Sequence, residues 1–369
     1  MRNELADRST GRRMVPGTWP RERTGLLVNE ESSDPAAVQA ALVARARLRQ
    51  WMAGAQVVDL LHAASVEGWL HTLTGPTTVE ALAETGGVTA ERARRVVEVF
   101  LAAGVVRVVD GPSPAFVLTA EFAALNVGPS GVRLDDLVDE MGAARDRVRS
   151  ALLPNTPYTW EYDALAVART RGLLPTAAAR AMFALAHEMV PEYRSRLAAG
   201  GPLLDVGSGV GGALLAALTA FPELRAVGIE RAGDVVEELW KRAQAAGVSS
   251  RLEIRHADAQ DLDDEGVYTV SYWAQAFFPR DARATTLAAV RRALVPGGLV
   301  LVQELVPQSQ NTLDSRLRAA LEALVADSRG VPPALVAEEL ATELRDGGFV
   351  DVQVVVSPIG RLVVGRRGE

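Results

Sequence analysis

The chain has no cysteine in its 369 residues. That excludes a disulfide framework, a thiol nucleophile and a thiolate metal site, and no metal is expected. Lysine is almost absent too: Lys241 stands alone among basic residues that are otherwise arginine. With abundant Ala and Val, this bias points to a GC-rich bacterial genome, a comment on origin and not on chemistry. No apolar run approaches the roughly 18 residues that a membrane span needs, so no membrane partner is expected. The N-terminus, MRNELADRSTGRR, lacks the apolar core of a secretory signal, which leaves a soluble, cytoplasmic protein as the default. A net charge of −7 argues against a nucleic-acid partner, because phosphate binding usually requires a basic surface. What is present is globular in kind: 48% hydrophobic residues, a mean hydropathy of +0.09, and a length that suggests two domains.

The richest stretch is Leu203 to Gly212, LLDVGSGVGG. Leu203, Leu204 and Val206 make a short buried-strand signal, broken by glycines at 207, 209, 211 and 212. Such a turn between a parallel strand and a helix lets backbone N–H groups approach a ligand that a Cβ would block. Two cofactor classes fit. Gly207, Gly209 and Gly212 satisfy the dinucleotide fingerprint, with Glu230 near the place of its ribose-binding acid. Gly207, Gly209 and Gly211, with Asp205 two residues ahead, equally satisfy the D/E-x-G-x-G-x-G pattern for S-adenosylmethionine.

Strand and helix patterns then alternate. Arg225 to Ile229 is a strand ending in Glu230, where a carboxylate can take both ribose hydroxyls. A helix follows from about Asp234 to Ala246, closed by Gly247. Leu252 to Arg255 is a strand leading into His256-Ala257-Asp258-Ala259, with Asp258 placed to accept from an adenine amine. Val267 to Trp273 is a fourth strand, and Leu299 to Glu304 a fifth, led by Pro296-Gly297-Gly298. Asp351 to Val356, a Pro358-to-Gly360 turn and Arg361 to Val364 read as a terminal hairpin.

From Gly201 to Arg366 this run resembles the catalytic domain of class I S-adenosylmethionine-dependent methyltransferases. The resemblance rests on LLDVGSGVGG, the strand ending at Glu230, HADAQD around Asp258, and LVPGGLVLVQE before the hairpin. A nicotinamide-binding domain would account for the first two segments only. The resemblance implies an α/β fold: a Rossmann-like, seven-stranded sheet with a terminal antiparallel hairpin. It implies S-adenosyl-L-methionine as cofactor, held by Asp205, Gly207, Ser208, Gly209 and Gly211 at its methionine end. Glu230 and Arg231 would lie at the ribose, and Asp258, Ala259 and Trp273 at the adenine side.

The first half reads as mainly helical. Ala36 to Ser65 is one long helix, weakened at Met52-Ala53-Gly54. After Gly75-Pro76 a short helix opens at Thr78, and Thr89 caps a second running to about Ala103. Val105 to Val109 and Ala115 to Leu118 flank Asp110-Gly111-Pro112 as a wing. Winged helices bind DNA, and Arg92, Arg94 and Arg95 would be the contacts. In front of a domain of this kind, the winged helix also looks like the dimerisation module of small-molecule O-methyltransferases. We therefore expect a homodimer, divided into a flexible tail (1–34), a winged-helix dimerisation domain (35–150), linking helices (151–198) and a cofactor-binding domain (199–369).

The linking region should meet the acceptor. Tyr158, Trp160 and Tyr162 concentrate aromatics in a chain where they make up 5%. Aromatic walls suit a flat acceptor and tolerate a sulfonium charge. Arg180 to Tyr193 reads as a helix carrying Phe183 and His187, and Phe277 and Phe278 follow the fourth strand. Phenol-methylating members of the family carry a histidine after that strand; here Gln275 stands in its place. An amide cannot take a proton at neutral pH, although it can orient an acceptor. Glu304 matches the family's flanking acid and would serve as base if buried and raised in pKa, and His187 is the third candidate. Methyl transfer to a carbon nucleophile, an amine or a carboxylate needs no strong base. A non-methylating member of the fold and a ligand-responsive winged-helix regulator are the other functional readings.

Overall fold

A computed structural model describes residues 35–111, 113–126, 131–151, 160–305 and 313–369. The segment expected as a flexible tail, 1–34, lies outside these residues, as does Tyr158. The chain divides into two compact units, 1–54 and 55–369. In the first unit the described residues, 35–54, are helical and all exposed. They open α1, Pro35–Val66, which runs unbroken through Gly54. The division falls inside α1.

The second unit begins with the winged helix. It comprises the rest of α1, α2 (Trp69–Thr72), α3 (Val79–Thr85), α4 (Ala90–Ala102), and the hairpin of β1 (Val106–Val109) and β2 (Ala115–Leu118). The cap signals in the sequence are used as read: Thr78 accepts from Ala81 N at 3.3 Å, and Thr89 from Arg92 N at 3.2 Å. Leu61, Leu70, Leu82, Val97, Phe100 and Leu118 form its core, while Arg92, Arg94 and Arg95 are exposed. Then come α5 (Ala120–Asn126), α6 (Leu134–Ser150), a 3-10 turn at Trp160–Asp163 and α7 (Ala164–Arg171).

The helix expected over 180–193 is instead two, α8 (Ala177–Glu188) and α9 (Pro191–Ala198). Pro191 cannot donate to the preceding turn, so it ends one helix and opens the next at its first position.

The sheet follows. Its strands are β3 (Leu203–Val206), β4 (Ala226–Glu230), β5 (Leu252–His256), β6 (Tyr268–Trp273), β7 (Leu294–Gln303), β8 (Phe349–Ser357) and β9 (Gly360–Arg367). Their spatial order is β5-β4-β3-β6-β7-β9-β8, with β9 alone reversed, antiparallel to both its neighbours β7 and β8. Between them run α10 (Gly212–Ala220), α11 (Gly233–Ala245), α12 (Arg283–Ala293), α13 (Leu313–Ser328) and α14 (Ala337–Asp346). β3 is buried at every residue, as a central parallel strand must be. Successive side chains enter opposite layers: Leu203 joins Leu214, Leu218 and Leu301 on one face, and Leu204 and Val206 join Val300, Val302 and Leu340 on the other. The strand order reverses between β3 and β6, and in open α/β sheets ligands bind beyond the strand ends at that switch point. The glycine turn lies there.

Candidate cofactor and transfer site

Each glycine of the turn is where it is for a local reason. Gly207 and Gly211 have φ of 75° and 83°, a region that side chains disfavour. A Cβ on Gly207 would stand 2.7 Å from the Phe278 ring, and one on Gly211 2.4 Å from Leu239. At Gly209, with φ 53°, a Cβ would touch only Ala168 Cβ, at 3.9 Å. Ser208 turns inward, its hydroxyl donating to Asp205 O at 2.9 Å. Glu230 braces the turn from the end of β4. Its carboxylate accepts from Gly209 N at 2.9 Å, Arg231 N at 2.8 Å and Ala232 N at 2.9 Å. A carboxylate has about four acceptor sites, so a hydroxyl can still be taken there.

Asp258 closes the far side. It accepts from Gln260 N at 3.0 Å and from Arg231 at 3.2 Å. Burial works against its charge, yet the hydrogen bonds from Gln260 and Arg231 hold its carboxyl below the usual range. Ala259 follows it, buried in the core. The turn, Glu230 and Asp258 thus line one sheet end.

The end of β6 differs from expectation. Trp273 is fully buried, with the Arg283 guanidinium 4.8 Å from its ring centroid and the Phe278 ring edge-on at 5.6 Å. It faces the core, and no open face is left for a cofactor to stack on. Gln275 is also buried, not aimed at an acceptor. Its amide donates to Gln303 O at 3.2 Å and accepts from Arg283 at 3.1 Å. Glu304 is paired with Arg361 at 2.5 and 2.8 Å and accepts from Ala337 N at 3.0 Å. The Arg361 bonds pull its pKa down, opposite to what a general base at this position would need.

Residues 203–298 match the family described as methyltransferase domain. A methyltransferase, ungE', of Aspergillus campestris (strain IBT 28561) is 32% identical over 96 residues, which cover 24% of this chain and 28% of that protein. The match therefore spans under a third of that relative's length. Two solved structures match nearly end to end. Mitomycin 7-O-methyltransferase MmcR gives a TM-score of 0.66 at 20% identity, over 90% of this chain and 100% of that one. Human N-acetylserotonin methyltransferase, solved with S-adenosylmethionine, gives 0.64 at 17% identity, over 88% and 98%. At such identities the likeness establishes the fold. Residues 203–298 form a methyltransferase domain. A domain of this family implies S-adenosylmethionine as cofactor.

The residues of the methyltransferase domain fit that cofactor. Gly209 leaves a cradle that a larger residue would fill, and Glu230 retains acceptor capacity beside it. When bound, S-adenosylmethionine supplies an electrophilic methyl group on a positively charged sulfur.

The acceptor residues expected from the sequence divide between two cavities. Tyr162 lines one of about 330 Å³ with Asp59, His62, Asp139 and Asp146, and its hydroxyl donates to Asp146 at 3.1 Å. Phe183 and His187 line another, of about 20 Å³, between β3 and helices α8 to α10. That volume is room for about one water. Phe277 is exposed, Phe278 is half-buried against the core, and the side chain of Trp160 lies outside the described residues.

His187 and Asp205 share the small cavity, and each has a buried atom without a partner, Nδ1 and Oδ1. Burial, then Arg194, pushes His187 down to about 4, so it is neutral at physiological pH. Burial, then Glu230, pushes Asp205 up to about 8. For His187 the folded pKa lies below the unfolded one, so the stability it contributes is complete above pH ~6.5 and lost as pH falls towards 4. Thermal melts of His187→Leu are expected to show a flatter acid limb in that window. An unchanged slope would contradict the assignment.

Sequence reasoning missed Arg283, Glu343 and Arg361, which hold the loops around β6 and β7. The ion pairs Arg283–Glu343 and Arg361–Glu304 span 60 and 57 residues, and no local spacing signals them.

Proposed function

We propose that the chain transfers the methyl group of S-adenosylmethionine to a small-molecule acceptor, aromatic or of natural-product type, in bacterial secondary metabolism such as antibiotic biosynthesis. In this reading Gly207 to Gly211 pass the methionine end, Glu230 and Arg231 hold the ribose, and Asp258 with Ala259 frames the adenine. Phe277 and Phe278, with Tyr158, Trp160 and Tyr162 of the linking region, meet the acceptor, whereas Phe183 lines a cavity with room for only about one water.

One observation carries the mechanistic part. Among the described residues at the ends of β6 and β7, no side chain is set up to take a proton: Gln275 is tied at both ends and Glu304 is ion-paired. His187, pushed down to about 4, is a weak base. The chain's own contribution is then binding, alignment and exclusion of water, which can supply most of the rate for a good leaving group. The acceptor brings its own lone pair, as an amine, an enolate-type carbon, a carboxylate or a self-ionised phenol. Glu304→Gln is accordingly expected to keep turnover within about threefold, with rates following the acceptor's pKa. S-adenosylhomocysteine release from a panel of anilines and phenols checks this. A loss of a hundredfold or more with unchanged cofactor affinity would restore Glu304 as the base.

The assembly read into this function is a cytoplasmic homodimer through the N-terminal region. It is supported by the apolar residues α1 leaves exposed, among them Val38, Leu42, Val43, Trp51 and Met52. Light scattering should report a dimer for the full chain and a monomer for Trp51→Glu/Met52→Glu. A monomeric unaltered chain would contradict it. No helix among the described residues is long and apolar enough to cross a membrane.

A further inference from the structure

The loop after β6 sits on the cofactor turn. Ala274 N donates to Val206 O at 3.0 Å, which ties the loop to the end of β3. One 3-10 turn, Gln275–Phe277, follows, and Phe278 then lies against Gly207, 2.7 Å from where a Cβ would be. The height of this loop fixes how much room remains beside the first glycine.

One buried side chain grips the loop there, beside the bond from the Gln275 amide to Gln303 O. Arg283, the first residue of α12, is 5% exposed. Its Nη1 donates to Gln275 O, and its Nη2 donates to Gln275 Oε1 at 3.1 Å. Nε and Nη2 form a fork on Glu343 of α14 at 2.6 and 2.5 Å. The flat of the guanidinium rests 4.8 Å from the Trp273 ring, whose edge contact with Phe278 carries the stack to Gly207. A planar, five-donor group can grip two partners and stack at once; an ammonium cannot. Buried ion pairs are a weak source of stability, and packed apolar residues often replace them without loss. Stability alone therefore gives a thin account of a guanidinium committed to loop, helix and ring together.

We propose that Arg283 is a positioning residue for the cofactor: by gripping Gln275 against Glu343 and stacking on Trp273 it sets Phe278 against the glycine turn. It touches neither cofactor nor acceptor. The inference rests on the proposed S-adenosylmethionine site and deepens it. Gln275, which stands where relatives that methylate phenols carry a histidine, then has a use of its own as the handle of the grip.

The test separates positioning from mere support. In the full chain, Arg283→Met/Glu343→Leu replaces the ion pair with apolar bulk and removes the grip on Gln275. Its melting temperature is expected within about 5 °C of the unaltered chain, as for other buried pairs exchanged for apolar ones. Calorimetric titration with S-adenosylmethionine should nevertheless show affinity at least fivefold weaker. If this variant does not fold, Arg283→Lys keeps the charge but not the fork, and is held to the same fivefold criterion below its melting temperature. Affinity within fivefold of the unaltered chain, in whichever variant folds, overturns the proposal. Failure of the unaltered chain to bind S-adenosylmethionine overturns the site itself, and the proposal with it.

Discussion

Asp163→Ala should lower stability by about 3–5 kcal/mol, the usual cost of breaking a buried ion pair by removing one partner. Asp163 and Arg147 each expose 1% of their side chains. The guanidinium donates to both carboxylate oxygens, at 2.6 and 2.8 Å, and Arg329 adds a second cation at 2.7 Å. Removing the carboxylate takes away the charge that both arginines face, in a site with little water to replace it. Natural domains have only about 5–15 kcal/mol in hand, so the melting temperature should fall by roughly 5–10 °C. The pH dependence has a definite sign. Burial raises the Asp163 pKa, but the hydrogen bonds from Arg147 and Arg329 outweigh it and leave it lowered. A carboxylate whose folded pKa is depressed contributes stability above its unfolded value, near pH 4, and loses it as pH falls further. Asp163→Ala should therefore flatten the acid limb below pH ~4. A melting temperature within 1 °C of the unaltered chain would show that the triad contributes nothing net. Because α6, the 3-10 turn at Trp160–Asp163 and the residue after α13 meet here, the loss should reach beyond a single element.

Glu230→Ala is the variant expected to affect the cofactor most. Three backbone N–H groups end on this carboxylate, one of them from Gly209 in the turn. Alanine removes the acceptor meant for the ribose and also the brace that shapes the turn. Charge-assisted hydrogen bonds are worth about 1–3 kcal/mol, so S-adenosylmethionine affinity should weaken by roughly 5- to 150-fold. Glu230→Gln keeps the volume but puts N–H donors where one oxygen was, and should fall between alanine and the unaltered chain. Calorimetry is the direct measurement. An affinity for Glu230→Ala within twofold of the unaltered chain would remove Glu230 from the site.

Much of this fold was legible because its signals are local. Val206 and the glycines after it announce a strand, a turn and a helix within ten residues, and Thr78 and Thr89 announce the helices they cap. Two short valine-rich runs on either side of the Pro358-to-Gly360 turn marked the terminal hairpin. The break at Pro191 is masked by the alanine-rich helical run that leads up to it, although proline at a helix start is the available clue. The site was legible where a residue type meets a backbone requirement, as at Gly207 or Glu230. It was illegible where a side chain's role depends on a partner in another element. Nothing near Gln275 says that Arg283 will occupy its amide, and nothing near Glu304 says that Arg361, 57 residues on, will claim its charge. Trp273 shows the same limit: a tryptophan closing a strand reads as a stacking surface, and only the tertiary fold shows its face covered by a guanidinium. The aromatics of the linking region could be noticed by composition, but composition does not say which cavity each one lines.

The most direct test of the account is calorimetric titration of the full chain with S-adenosylmethionine and, separately, with NAD. The glycine turn satisfies both patterns in sequence, and the choice between them underlies every functional statement made above. The expected result is one S-adenosylmethionine bound per chain with micromolar affinity and no heat from NAD. Binding of NAD with none of S-adenosylmethionine would contradict the account at its root.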